Sequence, residues 1–446
     1  MQKNTKTVLF AMAVLVLSLF LVQQHSSLSI ITVSSGATFS SIQDAVNTAN
    51  SEGGGTVILP PENINCNNEL IQIPGGVNVY GQGIGSTVLT ETVAAPFNAM
   101  FVVDGENGQP VRISGISFHG LVTSTDDNVL GSGIIMANAN NFRVDHCEFV
   151  DFPNFAVDVS QTIPNCLTRG VIDHNLISDP YRRVFGPSTL WGYGVGVFSN
   201  DYSDWDSDIT HFLGKYNTVP TFDPVAYIED NTFNLTRHAV SSNQLGWYVF
   251  RDNTAFQDYN SVVDVHGSSS IAAGGRGGEV YNNVITGPIG IGFRGGSGVI
   301  YGNTIQAISS IEVLKDMDGV VLRPLNDLWI WNNNPDGASS DVNYIQNQDY
   351  FLRAPNQAQD GFTYTPLAYP FPFDTYGIND EQTPSSTPTP THSGGGGGGG
   401  SSPTPTINPS ISPSASNNPI KTFDWLSNAW IFLNNAWSNF WRWLIG

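Results

Sequence analysis

Short alternations of apolar and polar residues fill the middle of the chain, and one phrase recurs seven times. It reads apolar–polar–polar–Asn–x–(Phe/Ile), as in Ile228-Glu229-Asp230-Asn231-Thr232-Phe233 and Ile300-Tyr301-Gly302-Asn303-Thr304-Ile305. The Asn slot holds Cys147, Asn175, Asn231, Asn253, Asn283, Asn303 and Asn333, at separations of 28, 56, 22, 30, 20 and 30 residues. Periods of this size mark one supersecondary unit stacked on copies of itself. The β-branched and aromatic content of each phrase makes that unit a coil of β-strands. An amide at a fixed turn position can bond the backbone of the coils beside it, so the asparagines predict a ladder.

A second strand precedes each phrase. Its copies begin at Gly133, Ala156, Gly194, Ala239, Val262, Gly290 and Gly319, the last being Gly319-Val320-Val321-Leu322-Arg323. Positions two and four are almost all apolar and should point inward, three and five outward. The alignment therefore predicts which outward side chains stack, about 4.8 Å apart per coil.

The repeat predicts a single right-handed parallel β-helix, an all-β solenoid, over residues 30–340, since strand twist favours that hand. Ser40-Ser41-Ile42-Gln43 reads as a capping box. Ile42, Ala45, Val46 and Ala49 then make one apolar face of a helix covering the open end. The longest coil inserts Ser178–Tyr193 and Asn200–Pro224, rich in aspartate and aromatics. Residues 341–380 lose the repeat and read as a strap along the outside. Residues 381–420 are a Ser/Thr/Pro/Gly linker without the means to form a core. In 421–446, Phe423, Leu426, Trp430, Leu433, Trp437, Phe440 and Leu444 follow 3-4 spacing, with five tryptophans in the segment. That is an amphipathic helix suited to a membrane surface; the same spacing also fits a coiled-coil seam.

The formal net charge is −21, from 17 Lys/Arg and 38 Asp/Glu. So acidic a chain has no general field for nucleic acid. From Arg237 to Arg323 the balance is only −1, six Lys/Arg against seven Asp/Glu, so these coils form a neutral island in an acidic chain. Cys66, Cys147 and Cys166 form no complete disulfide framework and no metal spacing. Lys3 and Lys6 precede the apolar run Val8–Val22, so 1–29 reads as a signal peptide or an uncleaved signal anchor. Together with the tail, this predicts a secreted protein retained at the cell surface or membrane.

Phe39-Ser40-Ser41-Ile42-Gln43-Asp44-Ala45-Val46, Gly54-Gly55-Thr56-Val57-Ile58-Leu59-Pro60, Val79-Tyr80-Gly81-Gln82-Gly83 and the Asn-bearing coils resemble the pectate-lyase-like right-handed parallel β-helix superfamily. The resemblance covers 36 to about 340. It implies the fold, and a function among polysaccharide lyases, glycoside hydrolases, epimerases, tailspikes and surface proteins without activity. The calcium-binding and arginine-bearing signature of true pectate lyases is not recognisable here.

The outward columns predict the chemistry. Asn243, His266, Arg294 and Arg323 stack in one column, with Ser241, Asp264 and Gly292 beside it. His238 heads the preceding strand, and Arg276 lies in the glycine-rich turn that follows. In a lyase, arginines neutralise a uronate carboxylate while an imidazole removes the proton α to it. A hydrolase needs two carboxylates ~5–9 Å apart, and Asp264 has no evident partner; Glu279 is of uncertain direction. The candidate catalytic set is His238, Asp264, His266, Arg276 and Arg294, with Asp264 orienting the histidine and Arg323 binding substrate. The same residues also fit a plain ionic ladder on a structural or adhesive stalk. A second column, Asp145, Asp173 and Glu229, would repel itself without a cation, which in an extracellular protein points to Ca2+; a solvated acidic edge helped by arginines is the alternative. The column continues as Tyr281 and Tyr301, a platform for sugar rings or a seat for the strap. The expected partner is a polysaccharide or cell-surface glycan.

Overall fold

The computed structural model describes residues 29–371 apart from 94–97, 106–107, 122–130, 162–167, 180–191, 200–224, 258–259, 268–273, 315–324, 326, 341–343, 362 and 367. The chain divides into two units, 1–384 and 385–446. The second unit, with most of the linker and the tail helix, lies outside the described residues, as do residues 1–28 of the leader and both long insertions of the large coil apart from 178–179 and 192–193.

The described chain is a parallel β-helix. Its first face is a twelve-stranded sheet running from Ser29–Thr32 through Gly55–Ile58 and Trp247–Arg251 to Tyr350–Phe351. The other seventeen strands form two ladders. The second face has three-residue strands such as Thr232–Asn234 and Thr254–Phe256. The third has longer ones, such as Phe155–Gln161, Tyr193–Ser199 and Ser261–Val265. Val284–Phe293 and Thr304–Val313 run through both of these faces. Every strand pairing is parallel, which demands a crossover for each return, and the winding supplies it.

Alternation builds the core. On the third face Ile134, Val157, Val195, Val240, Val263, Ile291 and Ile311 form one inward column, each at most 1 % exposed. The asparagine ladder closes the turn between the first two faces. Each Oδ1 accepts the backbone N–H of the preceding slot: Cys147 to Asn175, then Asn231, Asn253, Asn283, Asn303 and Asn333, at 2.9–3.1 Å. Each Nδ2 donates to a carbonyl of the coil before, as Asn283 does to Phe250 at 2.9 Å. The residue before each slot has φ between 52° and 66°. Asn, Asp, His and Gly are the residues that tolerate this left-handed turn.

Two expectations are corrected, and the start of the winding is placed. The helix spans Phe39–Ser51, but Thr38 is its N-cap, sharing a capping box with Ser41. Its buried face includes the four residues read from spacing, together with Phe39. The first coil begins before the helix, because Ser29–Thr32 pairs with Gly55–Ile58. The coils also continue past 340, where Tyr350–Phe351 adds to the first face.

Tyr364, Ala368 and Phe371 of the strap lie on the outward side of the first face. Phe371 packs on Tyr227 at 4.3 Å between ring centroids. Arg251 donates to the Ala368 carbonyl, and Glu229 accepts the Phe371 N–H. Tyr364 Oη donates to Glu279 Oε2 at 2.5 Å. Burial pushes the Glu279 carboxyl up to about 7, offset in part by Tyr364 and Arg251. Between its ordinary value and about 7 the native protein holds a proton that the unfolded chain releases. The group therefore favours folding at acid pH, and this is lost as pH rises through about 7. Glu279→Gln keeps an acceptor for Tyr364 and removes the charge. It is expected to stabilise by about 2–3 kcal/mol at pH 8 and by little at pH 4, read from urea melts at both pH values. Equal effects at the two would reject a buried, proton-holding Glu279.

Candidate functional site

The third face turns three columns outward. The first holds Phe155, Tyr193, His238 and Ser261. The second holds Asp158, Gly196, Ser241, Asp264, Gly292 and Glu312. The third holds Ser160, Phe198, Asn243, His266, Arg294 and Leu314. Small residues, Ser241 and Gly292, stand on either side of Asp264 in the middle column.

Asp264 is 1 % exposed. Ser241 Oγ donates to it at 3.1 Å, and Arg294 grips both carboxylate oxygens through Nη2, at 2.7 and 2.8 Å. Burial alone would raise its carboxyl, but the Arg294 guanidinium and the nearby imidazoles hold it well below the usual carboxylate range. Asp264 is thus a fixed anion that positions Arg294. It does not orient a histidine, as the spacing had suggested, because both imidazoles bond elsewhere. His238 Nδ1 lies 2.5 Å from the Ser261 carbonyl and His266 Nδ1 lies 2.9 Å from the Gly267 carbonyl. A carbonyl only accepts, so both rings carry their proton on Nδ1 and, when neutral, a lone pair on Nε2. Burial, aided by the arginines, lowers His238 to about 3 and His266 to about 4. Both rings are therefore neutral near pH 7. His238 is buried at 3 % exposure, whereas His266 is partly exposed.

Arg237, next to His238 in the sequence, joins this cluster. Its guanidinium lies 5.5 Å from the Tyr193 ring centre, and Tyr193 stacks between Phe155 and His238 at 5.2 Å from each. Its buried Nε has no hydrogen-bond partner, and no carboxylate among the described residues pairs with it. Asp158, three rungs from Asp264, is raised by burial to about 6, offset in part by the Ser160 hydroxyl.

Glu312 was missed. The repeat had put Gly319–Arg323 in the next third-face position, but Ile311-Glu312-Val313 pairs with Ile291-Gly292-Phe293. Leu314 takes the column place assigned to Arg323, which lies outside the described residues. The signal was present: Asn283 to Asn303 and Gly292 to Glu312 are both 20 residues apart. The place fell too late because Leu328, the start of the next first-face strand, follows Val313 by fifteen residues, whereas Ser297 follows Phe293 by only four.

The other candidates lie elsewhere. Arg276 is at the corner leading to the first face, bonded through its backbone to Gly246 and Ser297, and is 2 % exposed. Glu279 belongs to the first face and cannot partner Asp264. Tyr281, Tyr301 and Trp331 stack at 4.7 and 4.6 Å on that same face, and Tyr364 packs edge-on against Tyr301 and Trp331. Tyr281 is buried, so its ring serves the strap rather than an open platform. Asp145, Asp173 and Glu229 do stack in register. Arginines, however, meet the charge that pointed to calcium: Arg112 and Arg143 are bidentate on Asp145 and Asp173, and Arg251 holds Glu229. Among the described residues no group of three or more acids, histidines or cysteines is placed to hold a metal ion.

No family model matches the chain. No curated protein matches it. Among solved structures it is similar to the mannuronan C-5 epimerase A-module of Azotobacter vinelandii, at TM-score 0.36 and 14 % identity over 69 % of this chain and 85 % of that one. It is similar to an alginate lyase from Paenibacillus sp. FPU-7, at 0.38 and 13 % over 70 % and 97 %. It is also similar to the tailspike protein of E. coli bacteriophage HK620 in complex with a pentasaccharide, at 0.41 and 14 % over 69 % and 61 %. By its own strand register, this chain is a parallel β-helix protein.

Proposed function

We propose that the third face binds an acidic polysaccharide and cleaves it by β-elimination. The observation that carries this reading is one cluster holding Arg237 with no carboxylate partner among the described residues, Arg294 and two neutral imidazoles with fixed tautomers. Arg237 and the Nη1 edge of Arg294 receive the uronate carboxylate and stabilise the charge that develops on it. His266 Nε2 removes the proton α to that carboxylate. The C–O bond to the neighbouring sugar then breaks, the leaving oxygen takes a proton from water, and a double bond remains in the ring.

A second reading is hydrolysis, favoured by Glu312, two rungs from Asp264 and so about 9.5 Å away at strand spacing, near the upper end of the spacing for an inverting pair. Asp158, about 14 Å from Asp264 on the same count, is too far for that role. A panel of polyuronates and neutral polysaccharides separates the readings. Unsaturated uronate product marks elimination, and new reducing ends without it mark hydrolysis. Binding without either product leaves a glycan-binding surface protein. Arg237→Ala should lower kcat/KM on the best polyuronate about 10–100-fold, the worth of one charge-assisted contact. An unchanged value would remove Arg237 from the site.

The leader pattern at 1–29 and the tryptophan-rich tail at 421–446 support secretion with retention at a membrane surface, the tail lying in the interface. Flotation of a reporter fused to 421–446 with liposomes tests the tail, and a dimeric reporter left in solution would favour the coiled coil.

A further inference from the structure

On two successive rungs, the left-handed residue before the asparagine slot is histidine: His146, φ 52°, and His174, φ 56°. Their rings stack with centroids 5.1 Å apart and planes 5° from parallel. Both side chains are about half exposed, at 53 % and 49 %. Each Nδ1 meets the carboxylate of the residue before it, Asp145 Oδ2 at 2.7 Å and Asp173 Oδ2 at 2.8 Å. Those carboxylates cannot swing, because Arg112 and Arg143 hold them bidentately. An ionised carboxylate only accepts, so Nδ1 carries the proton and the lone pair of the neutral ring sits on Nε2. No described residue bonds either Nε2.

A carboxylate bonded to the far nitrogen is the arrangement that orients metal-ligating imidazoles. Here it occurs twice, on adjacent rungs and at the solvent edge. We propose that Nε2 of His146 and Nε2 of His174 together ligate one transition-metal cation of the zinc, nickel or copper class. Imidazole nitrogen suits these ions, whereas calcium and magnesium require oxygen. The carboxylates that suggested calcium become the outer support of the ligands. Metal–nitrogen bonds of about 2.0–2.1 Å bring the two Nε2 atoms closer than the stacked rings hold them, so the outer ring edges must tilt together. The Nδ1 bonds lie at the inner edge and serve as pivots. Water fills the remaining coordination positions. The site lies on the turn between the first and second faces and is independent of the third-face cluster.

The test uses the full chain, titrated with Zn2+ by calorimetry and with Cu2+ by electron paramagnetic resonance. His146→Asn and His174→Asn are the informative variants. Asn282 and Asn332 already occupy this turn position with positive φ, so the backbone accepts the change. The chain has eight histidines, so the result is read as a difference from the parent. Each variant is expected to lose one zinc equivalent or weaken it at least tenfold, with the melting temperature unchanged without metal. Copper in the parent should show coupling to two nitrogens, and to fewer in each variant. No zinc binding by the parent, or the same stoichiometry and affinity in both variants, would overturn the site.

Discussion

His266→Ala is expected to lose about 10²–10⁴-fold in turnover on an acidic polysaccharide, with the melting temperature within a few degrees of the parent. His266 is the partly exposed imidazole of the cluster, and its one described hydrogen bond goes to the adjacent Gly267 carbonyl, so little packing depends on it. The pH profile distinguishes a base from a spacer. Burial and Arg294 lower this ring to about 4, so the basic form persists well into acid. The parent's kcat/KM should hold from neutral pH down and be lost as pH falls through about 4. A substrate carboxylate on Arg237 and Arg294 offsets their positive field, so the acid limb of kcat should lie higher than that of kcat/KM. Full activity in the variant, or residual activity with an unmoved acid limb, would take His266 out of proton transfer.

Asn283→Leu is expected to destabilise the β-helix by about 3 kcal/mol, the cost of more than one buried group left unpaired. Asn283 Oδ1 accepts from both the backbone N–H and Nδ2 of Asn253, at 2.9 and 3.2 Å. Its Nδ2 donates to the carbonyls of Phe250 and Tyr281 and to Asn303 Oδ1, all at 2.9 Å. Leucine fills the space but breaks the ladder between two coils. Urea unfolding should show the loss, and the Asn253 amide should exchange with solvent faster than amides several coils away. A variant as stable as the parent, with that amide still protected, would mean that the strand ladders alone hold the turn.

Within the coils, the one-dimensional pattern specified most of the outcome. Strand period two sends alternate residues inward, and a constant offset from each asparagine slot places equivalent residues on neighbouring rungs. Hence Asp145, Asp173, Glu229, Arg251, Tyr281, Tyr301 and Trp331 could be aligned by sequence, and they pair in that order. The same counting brought Asp264, His266 and Arg294 to one face. It failed where a coil changes length, and so Glu312 was passed over for Gly319–Arg323.

The sequence by itself determined the repeat, the asparagine ladder and the inward or outward sense of nearly every strand residue, because these follow from local period and from copies of one unit. Only the tertiary structure decided which outward charges are spent. The Asp145 and Asp173 carboxylates that repel on paper are neutralised by Arg112 and Arg143, each one coil before its partner. Asp264 faces the histidines in the alignment but in space chelates Arg294. The Tyr281–Tyr301–Trp331 stack is backed by Tyr364, which approaches from more than thirty residues beyond the last of them. The physical reason is reach: an arginine or a strap tyrosine selects its partner across rungs by side-chain length and direction. The backbone period that a sequence displays constrains neither.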